Sequence, residues 1–358
     1  MLLSKALSEC FASYLEEMKL TNNQRERYSR MLALRDFTEE DMQAIMESTV
    51  AVVGAGGLGS PALRLLAAIG FGRIRIIDRD IVELSNIQRQ TIYNTRDIGK
   101  PKAIAGAKNL ASMNPEVTFE PFSVSIQDEN VMELLEGTDI IIDGLDSFTT
   151  RRIINRASLR LKIPYVFAGA IEYYANLSTF IPGETGCLHC LMGDAEDNPD
   201  NTCAQVGVSP TLLSLAAAVE VNEAILLATG KRPVLANRLM TIDSASLSFD
   251  FFDIGIVPDC PQCSRPDTTK MRKGKGLTVT ALCTNDFNIS PPTIMNLDLR
   301  DISRHLDSKD AVKSGKKVLI VQKPSGSKIT LMSTGSAIVR GVSTAEEAVR
   351  LYEEILKG

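Results

Sequence analysis

Three groups of residues in this chain have types and spacings that suit chemistry. The first is the segment Ala51-Val-Val-Gly-Ala-Gly-Gly-Leu-Gly-Ser60, where Gly54, Gly56 and Gly59 fall in the spacing G-x-G-x-x-G and Gly57 sits between them. Backbone without β-carbons turns tightly and approaches phosphate closely, and the N–H groups that open the following helix attract negative charge. Asp78, at the end of the next predicted strand, is placed to accept hydrogen bonds from a ribose. Up to this point a nicotinamide-dependent oxidoreductase is served as well as an enzyme that consumes ATP.

The second group separates those readings. Ser85-Asn-Ile-Gln-Arg-Gln90, Gly99-Lys-Pro-Lys102 and Asp143-Gly-Leu-Asp146 follow in order. Lys102, near a predicted helix start, can neutralise phosphate, Arg89 can grip it with a planar fork, and Asp146, at a strand end, can hold Mg²⁺. Taken singly, such a lysine or arginine is a solvated side chain and such an aspartate a cap; together they suit a polyphosphate with its metal.

The third group is sulfur. Cys187-Leu-His-Cys190 and Cys260-Pro-Gln-Cys263 supply four thiolates, enough for a closed tetrahedral Zn²⁺ site with no position left for water, hence a structural one. A redox reading of one C-x-x-C would require a helix start in a βαβ unit. Cys203, in Asn201-Thr-Cys-Ala-Gln-Val-Gly207, lies just before a long apolar helix, where a helix N-terminus can lower a thiol's pKa. Cys10 and Cys283 have no sequence partner and read as packing residues, and His189 and His305 read as exposed side chains.

Positioning these groups requires strands whose ends converge. Apolar β-branched runs predict strands at Val50–Val53, Arg73–Ile77, Val117–Val124, Asp139–Ile142 and Tyr165–Ala168, alternating with helical patterns such as Ala103–Met113. Strand-like segments at Leu177–Ile181 and Leu239–Phe252, bracketing a buried helix Leu212–Ala228, predict an antiparallel extension of that sheet. The expected fold class is α/β: a Rossmann-like, mostly parallel sheet with an antiparallel extension and a structural zinc, followed by a small C-terminal α/β domain. The expected boundaries are a helical segment over 1–45, which includes an amphipathic helix Met1–Leu20, a main domain over 46–267, a polar linker over 268–276, and the small domain over 277–358.

In the order and spacing of GAGGLGS, the D-x-D-x-V-x-x-S-N-x-x-R-Q run from Asp78 to Gln90, GKPK, and D-x-x-D followed by Arg151, the chain resembles the ThiF/MoeB/HesA branch of the ubiquitin-activating superfamily over roughly residues 25–265. That resemblance implies ATP- and Mg²⁺-dependent adenylation of the C-terminal glycine of a ubiquitin-like or sulfur-carrier protein ending in Gly-Gly. It implies that Asp78 holds the adenosine ribose, that Asn86, Arg89 and Lys102 hold the phosphates, that Asp146 holds the magnesium, and that the glycine loop receives the α-phosphate region. The two C-x-x-C pairs would hold the family's zinc. Arg27-Tyr-Ser-Arg30 resembles the family's R-Y-x-R-Q, which implies a homodimer in which Arg30 reaches the partner's ATP site; Met31 stands where the family has Gln, and Ser147 where it commonly has Asn. Cys203 resembles in position the cysteine of members that go on to a thioester or persulfide.

Composition narrows the classes. With 44% apolar and 23% charged residues the chain has enough apolar side chain for a packed core. A net charge of −5 disfavours a nucleic-acid partner. Glu220, Asn222 and Glu223 interrupt the most apolar helix and disfavour a membrane span. Reduced C-x-x-C pairs and the lack of a signal-like N-terminus point to the cytoplasm. Two other readings use the same fold: an NAD-dependent oxidoreductase, which leaves Lys102, Asp146 and four cysteines without a role, and a non-catalytic scaffold.

Overall fold

The computed structural model describes residues 20–197, 203–264, 276–281 and 286–357. The expected helix over 1–20, Cys10, Cys283 and nearly all of the 268–276 linker lie outside the described residues.

Three helices, α1 (Asn22–Arg27), α2 (Ser29–Leu32) and α3 (Glu39–Glu47), precede the first sheet. Thr38 caps α3 reciprocally with Asp41, satisfying backbone donors that the first turn would otherwise leave bare. Then β1 (Thr49–Val53), α4 (Gly59–Ile69), β2 (Arg73–Ile77), α5 (Lys102–Met113), β3 (Thr118–Phe122), α6 (Val131–Leu135), β4 (Ile140–Asp143), α7 (Phe148–Leu161) and β5 (Tyr165–Ile171) alternate. The five strands pair in parallel; the central β1 and β4 are continuous apolar runs buried because helices cover both faces, whereas β2 carries Arg73 and Arg75 and the edge strand β3 is only partly covered.

Three antiparallel strands extend the sheet from β5: β6 (Tyr174–Phe180), β7 (Arg238–Asp243) and β8 (Ser248–Asp253). The eight strands lie in the order β3-β2-β1-β4-β5-β6-β7-β8. Where the sequence pattern suggests one strand-like segment over Leu239–Phe252, the chain makes a hairpin, β7 and β8, turned through Ser244–Leu247. No glycine or proline marks that turn; Leu247 adopts a left-handed φ of 56° and Asp243 accepts hydrogen bonds from Ala245 and Ser246.

Between β6 and β7 stand α8 (Leu188–Met192), α9 (Cys203–Val206) and α10 (Pro210–Ala228). By length and composition α10 could cross a membrane. Its packing argues for a core role: Ala217, Val221 and Ala224 join the central apolar cluster. Glu223, buried on the same helix, accepts hydrogen bonds from Thr179 Oγ1 (2.7 Å), the Val234 N–H (3.0 Å) and the Leu235 N–H (2.8 Å). A buried carboxylate so satisfied fastens the helix to β6 and to the chain entering β7.

A second sheet contains β9 (Thr278–Ala281), β10 (Phe287–Ser290), β11 (Ala311–Ser314), β12 (Val318–Gln322), β13 (Lys328–Met332) and β14 (Ala337–Arg340), in the order β11-β12-β13-β14-β10-β9 and wholly antiparallel. Helices α11 (Leu299–Arg304) and α12 (Ala345–Lys357) flank it. On α12 the buried residues Ala348, Leu351, Tyr352 and Ile355 recur at helical spacing and pack on Leu319, Ile329 and Val339. This sheet has its own core.

Candidate active site

In a sheet ordered β3-β2-β1-β4, chain direction across the sheet reverses beside β1, and a crevice opens at the C-terminal ends of β1 and β4. The glycine segment fills that crevice. The Gly54 N–H reaches Ile77 O at 2.8 Å and the Gly144 N–H reaches Val53 O at 2.7 Å, so the loops after β1 and β4 lie in contact. A Cβ on Gly54, whose φ is 91°, would sit 2.4 Å from Gly144 O, and one on Gly59 would sit 1.8 Å from Gly54 O. Those two glycines are required by backbone crossing backbone. At Gly56 an added Cβ would lie 3.8 Å from Gln90 Nε2 and 4.0 Å from Gly144 O, ordinary van der Waals contact, so close backbone approach does not require glycine there.

Asp78 fastens the loop. One of its oxygens accepts the Ala55 N–H and the other the Asp80 N–H, each at 2.7 Å. Tyr93 Oη donates to Ala55 O at 2.9 Å, tying the same residue's carbonyl. Beside them lies a pair that sequence inspection passes over: Lys102 Nζ is 3.1 Å from Asp80 Oδ2, and the lysine side chain is almost wholly buried. Burial alone would lower the lysine's pKa, but Asp80 and then Asp78 outweigh it and hold the ammonium protonated. Burial pushes Asp80 up, and Lys102 followed by Arg79 pulls it below the usual carboxylate range. The signal for Asp80 was present, as the second acid of the D-x-D that begins at Asp78.

Asn86 and Arg89 belong to a 3-10 turn, Leu84–Asn86, and its continuation. Asn86 Oδ1 accepts the Glu83 N–H at 3.0 Å while the Glu83 carbonyl accepts the Asn86 N–H at 3.0 Å. The Asn86 carbonyl accepts the Arg89 and Gln90 N–H groups at 3.1 and 2.9 Å. Arg89 Nη1 donates to Ser85 O at 2.9 Å, and its stem passes Gly57, where an added Cβ would lie 3.7 Å from Arg89 Cδ. Gln90 is buried against Gly56, and its Oε1 has no hydrogen-bond partner.

The family model described as the ThiF family matches residues 28–264. The chain belongs to the ThiF family. It is 34% identical over 249 residues to the SAMP-activating enzyme E1 of Haloferax volcanii, covering 69% of this chain and 91% of that one. It is 30% identical over 340 residues to the sulfur carrier protein ThiS adenylyltransferase of Bacillus subtilis, covering 92% and 98%. Among solved structures the fold is similar to Escherichia coli MccB with succinimide, with a TM-score of 0.60, 24% identity, and coverage of 73% of this chain and 82% of that one.

In this ThiF-family chain the turn after β4 exposes Asp146, whose carboxylate makes no hydrogen bond or ion pair among the described residues. Ser147 caps α7, and Asp197 returns to the same helix start, accepting from Ser147 Oγ (3.0 Å), Phe148 N (2.5 Å), Thr149 N (3.2 Å) and Thr149 Oγ1 (2.7 Å). Beneath the turn, buried Arg151 pairs with Asp143 at 2.9 Å and donates to Leu145 O and Ala168 O. Tyr165 Oη donates to the same Asp143 carboxylate. Neither Asp197 nor this Arg151 ion pair was legible as part of the site.

The four cysteines converge. Cys187 Sγ is 4.0 Å from Cys190 Sγ and 3.9 Å from Cys260 Sγ, Cys190 Sγ is 3.5 Å from Cys263 Sγ, and all four sulfurs lie within 4.8 Å of one another. The pairs therefore tie α8 to the chain leaving β8. His189 does not join them: contrary to the sequence expectation its side chain is largely covered, with Nδ1 3.7 Å from Asp194.

Two expected site residues stand apart. Arg30, on α2, is exposed and its side chain makes no hydrogen bond or ion pair among the described residues. Its neighbour Tyr28 packs at Gly70 and bonds Asn114, whose amide also reaches Ala67 O at 2.8 Å, so α2 sits at the end of α4 remote from the glycine loop. That end is about 16 Å away at 1.5 Å per helical residue. Cys203 opens α9, and its side chain lies outside the described residues.

Proposed function

We propose that this chain is an adenylyltransferase that uses ATP to activate the C-terminal carboxylate of a ubiquitin-like or sulfur-carrier protein. The observation that carries the reading is the gathering, at one end of β1, β2 and β4, of the glycine loop, a buried protonated Lys102, Arg89, and the exposed Asp146, whose carboxylate makes no hydrogen bond among the described residues and whose charge acts on Lys102. A dinucleotide-dependent hydride transfer needs neither the lysine nor the acid. The named activities of the Haloferax and Bacillus relatives support the same class.

In the reaction the carrier's terminal carboxylate oxygen attacks the α-phosphorus, an acyl-adenylate forms, and the P–O bond to pyrophosphate breaks. The protein supplies position and charge. The glycine loop at Gly56 and the N-terminus of α4 receive the α-phosphate. Lys102 and Arg89 stabilise the negative charge that gathers on the leaving pyrophosphate, with Asn86 beside them. Asp78 keeps the glycine loop closed with one lone pair of each oxygen and retains others for ribose hydroxyls.

Two metals fit the side chains present. Asp146 and Asp80, whose charges both act on Lys102, offer carboxylate oxygens of the kind Mg²⁺ takes; bound there, the ion would neutralise phosphate charge. The four thiols suit Zn²⁺: sulfurs at about 2.3 Å from a tetrahedral metal stand about 3.8 Å apart. Their observed spacings bracket that value. Such a closed set acts on structure alone. It also implies a reducing compartment, and we place the protein in the cytoplasm.

The proposed species is a homodimer in which Arg30 enters the partner's site. The proposed division is an adenylation unit over 46–267, preceded by the helical segment 1–45 and joined through 268–276 to a smaller unit over 277–358. For Cys203 the proposed step is attack of its thiolate on the acyl-adenylate carbonyl with expulsion of AMP, leaving a thioester. ATP–pyrophosphate exchange driven by Gly-Gly-ending carriers tests the whole reading: Asp146→Ala is expected to lose exchange by about 10²-fold or more while melting like the parent. Exchange that persists in that variant would remove Asp146 from the site.

A further inference from the structure

Residues 80–83 and 99–102 form a short antiparallel ribbon. Val82 N reaches Lys100 O, Gly99 N reaches Val82 O, and Lys102 N reaches Asp80 O, each at 2.8 Å, with Ile81 bridged to Pro101. Alternate side chains of an extended segment point to opposite faces. One face presents Asp80 to Lys102 and sends Val82 into the main core. On the other, Ile81 packs with Met332 of β13 and Ile338 of β14.

Glu83, also on the reverse face, meets Arg340 at the end of β14: Nη2 lies 2.5 Å from Glu83 Oε1, and Nε lies 2.8 Å from Asp286 Oδ2. Further polar contacts fix the two sheets around this point. Asn288, fully buried on β10, accepts from Ser125 Oγ at 2.9 Å and donates to Arg79 O at 3.4 Å, and Thr334 Oγ1 donates to Ser123 O at 3.0 Å.

We propose that Arg340 is a positioning residue for adenylation: it holds Glu83 from the reverse face of the ribbon and so fixes the turn that presents Asn86 and Arg89 to the nucleotide. This rests on the function proposed above. The linkage is short. Glu83, whose carboxylate takes the guanidinium, also exchanges two hydrogen bonds with Asn86, its N–H donating to Asn86 Oδ1 and its carbonyl accepting the Asn86 N–H, and the Asn86 carbonyl carries the N–H groups of Arg89 and Gln90. Without the guanidinium, the Glu83 carboxylate loses its ion-pair partner and residue 83 is no longer held from the reverse face. The small C-terminal sheet then serves as the backing of the nucleotide site.

The test uses the full chain with Arg340→Gln, Arg340→Lys, Glu83→Gln and the double Gln variant. Glutamine at 83 keeps both backbone hydrogen bonds to Asn86 but lacks the charge. MgATP affinity is measured by calorimetry without any carrier, and KM for ATP and for the carrier in pyrophosphate exchange. Arg340→Gln and Glu83→Gln are each expected to weaken MgATP about 5–10-fold with the carrier KM unchanged, Arg340→Lys to recover part of the loss, and the double variant to be no worse than the worse single one. MgATP affinity within about twofold of the parent in both Gln variants, or additive losses in the double, overturns the proposal. If Arg340→Gln does not fold, unchanged affinity in Glu83→Gln overturns it alone. Should the parent bind MgATP while no carrier supports exchange, the adenylation reading fails and the binding comparison still decides the role of Arg340.

Discussion

Single side chains in this protein are governed by what burial does to their charge. Lys102 stays protonated under cover because two acids face it, whereas Glu220, wholly buried on α10, has no hydrogen-bond partner for either oxygen. Burial, and after it the charge of Asp143, pushes the Glu220 carboxyl well above the ordinary range and so favours its protonated form. The sign follows: the unfolded state ionises above its ordinary pKa while the folded state keeps its proton, so stability falls as pH rises from there toward the folded pKa. Glu220→Gln, which keeps the shape and removes the titration, is expected to raise the melting temperature at pH 8 by a few degrees and to change it little at pH 4. An equal shift at both pH values would mean that packing, not the proton, sets the effect. At this scale the sequence was readable where residue type alone implies chemistry, as for Lys102, Asp146 and the cysteines. It was silent on Asp197 and on the ion pair of Arg151 with Asp143, contacts that only the fold brings together.

Elements were legible in proportion to their burial. β1 and β4 are almost wholly apolar runs and stand within a residue of their expected bounds, because strands covered on both faces leave no room for polar alternation; β2, with Arg73 and Arg75, matches its bounds through its isoleucines. The β7–β8 hairpin was not resolved, since β8 is exposed along its whole length and its turn carries Ser and Leu rather than Gly. The loop to α5 is held by Asp97, which accepts from Asn109 Nδ2 (2.8 Å), Lys100 Nζ (2.9 Å) and the Asn94 N–H (3.2 Å). Burial works against its charge, but those hydrogen bonds outweigh it and hold the carboxyl below the ordinary value. Its contribution is therefore present above the unfolded pKa and lost as pH falls through the folded one. Asp97→Asn should flatten the acid limb of the stability curve below about pH 4, as urea titrations at several pH values would show; an unchanged slope sinks this account. For the thiol cluster, Cys260→Ser or a strong chelator is expected to remove one zinc per chain and lower the melting temperature by roughly 5–10 °C. Protein purified without zinc, and indifferent to the chelator, would mean that the thiols pack without metal.

For the whole molecule the open matter is how copies cooperate. Arg30 stands at the far end of α4 from its own glycine loop, so a role at an ATP site requires a second chain. Mixing Arg30→Ala with Asp146→Ala after subunit exchange is expected to restore about a quarter of parental exchange activity, because half the dimers are mixed and each has one intact site. Mixtures no better than their components would leave Arg30 without that role. The existence of a second sheet was legible from the strand and helix pattern after the polar linker. Its seat against residues 79–83 was not, because Glu83 and Arg340 are far apart in sequence and meet only through the ribbon. Strand order has a further meaning during synthesis. Since β2 and β3 line up on one side of β1, and β4 to β8 line up on the other in the order they are made, every strand leaving the ribosome is added at an open edge and none is wedged between finished neighbours. Cys187 and Cys190 emerge midway through that accretion and wait until Cys260 and Cys263 follow the last strand of that sheet out; a message cut short between Asp253 and Cys260 would yield this sheet with every strand but half a thiol cluster.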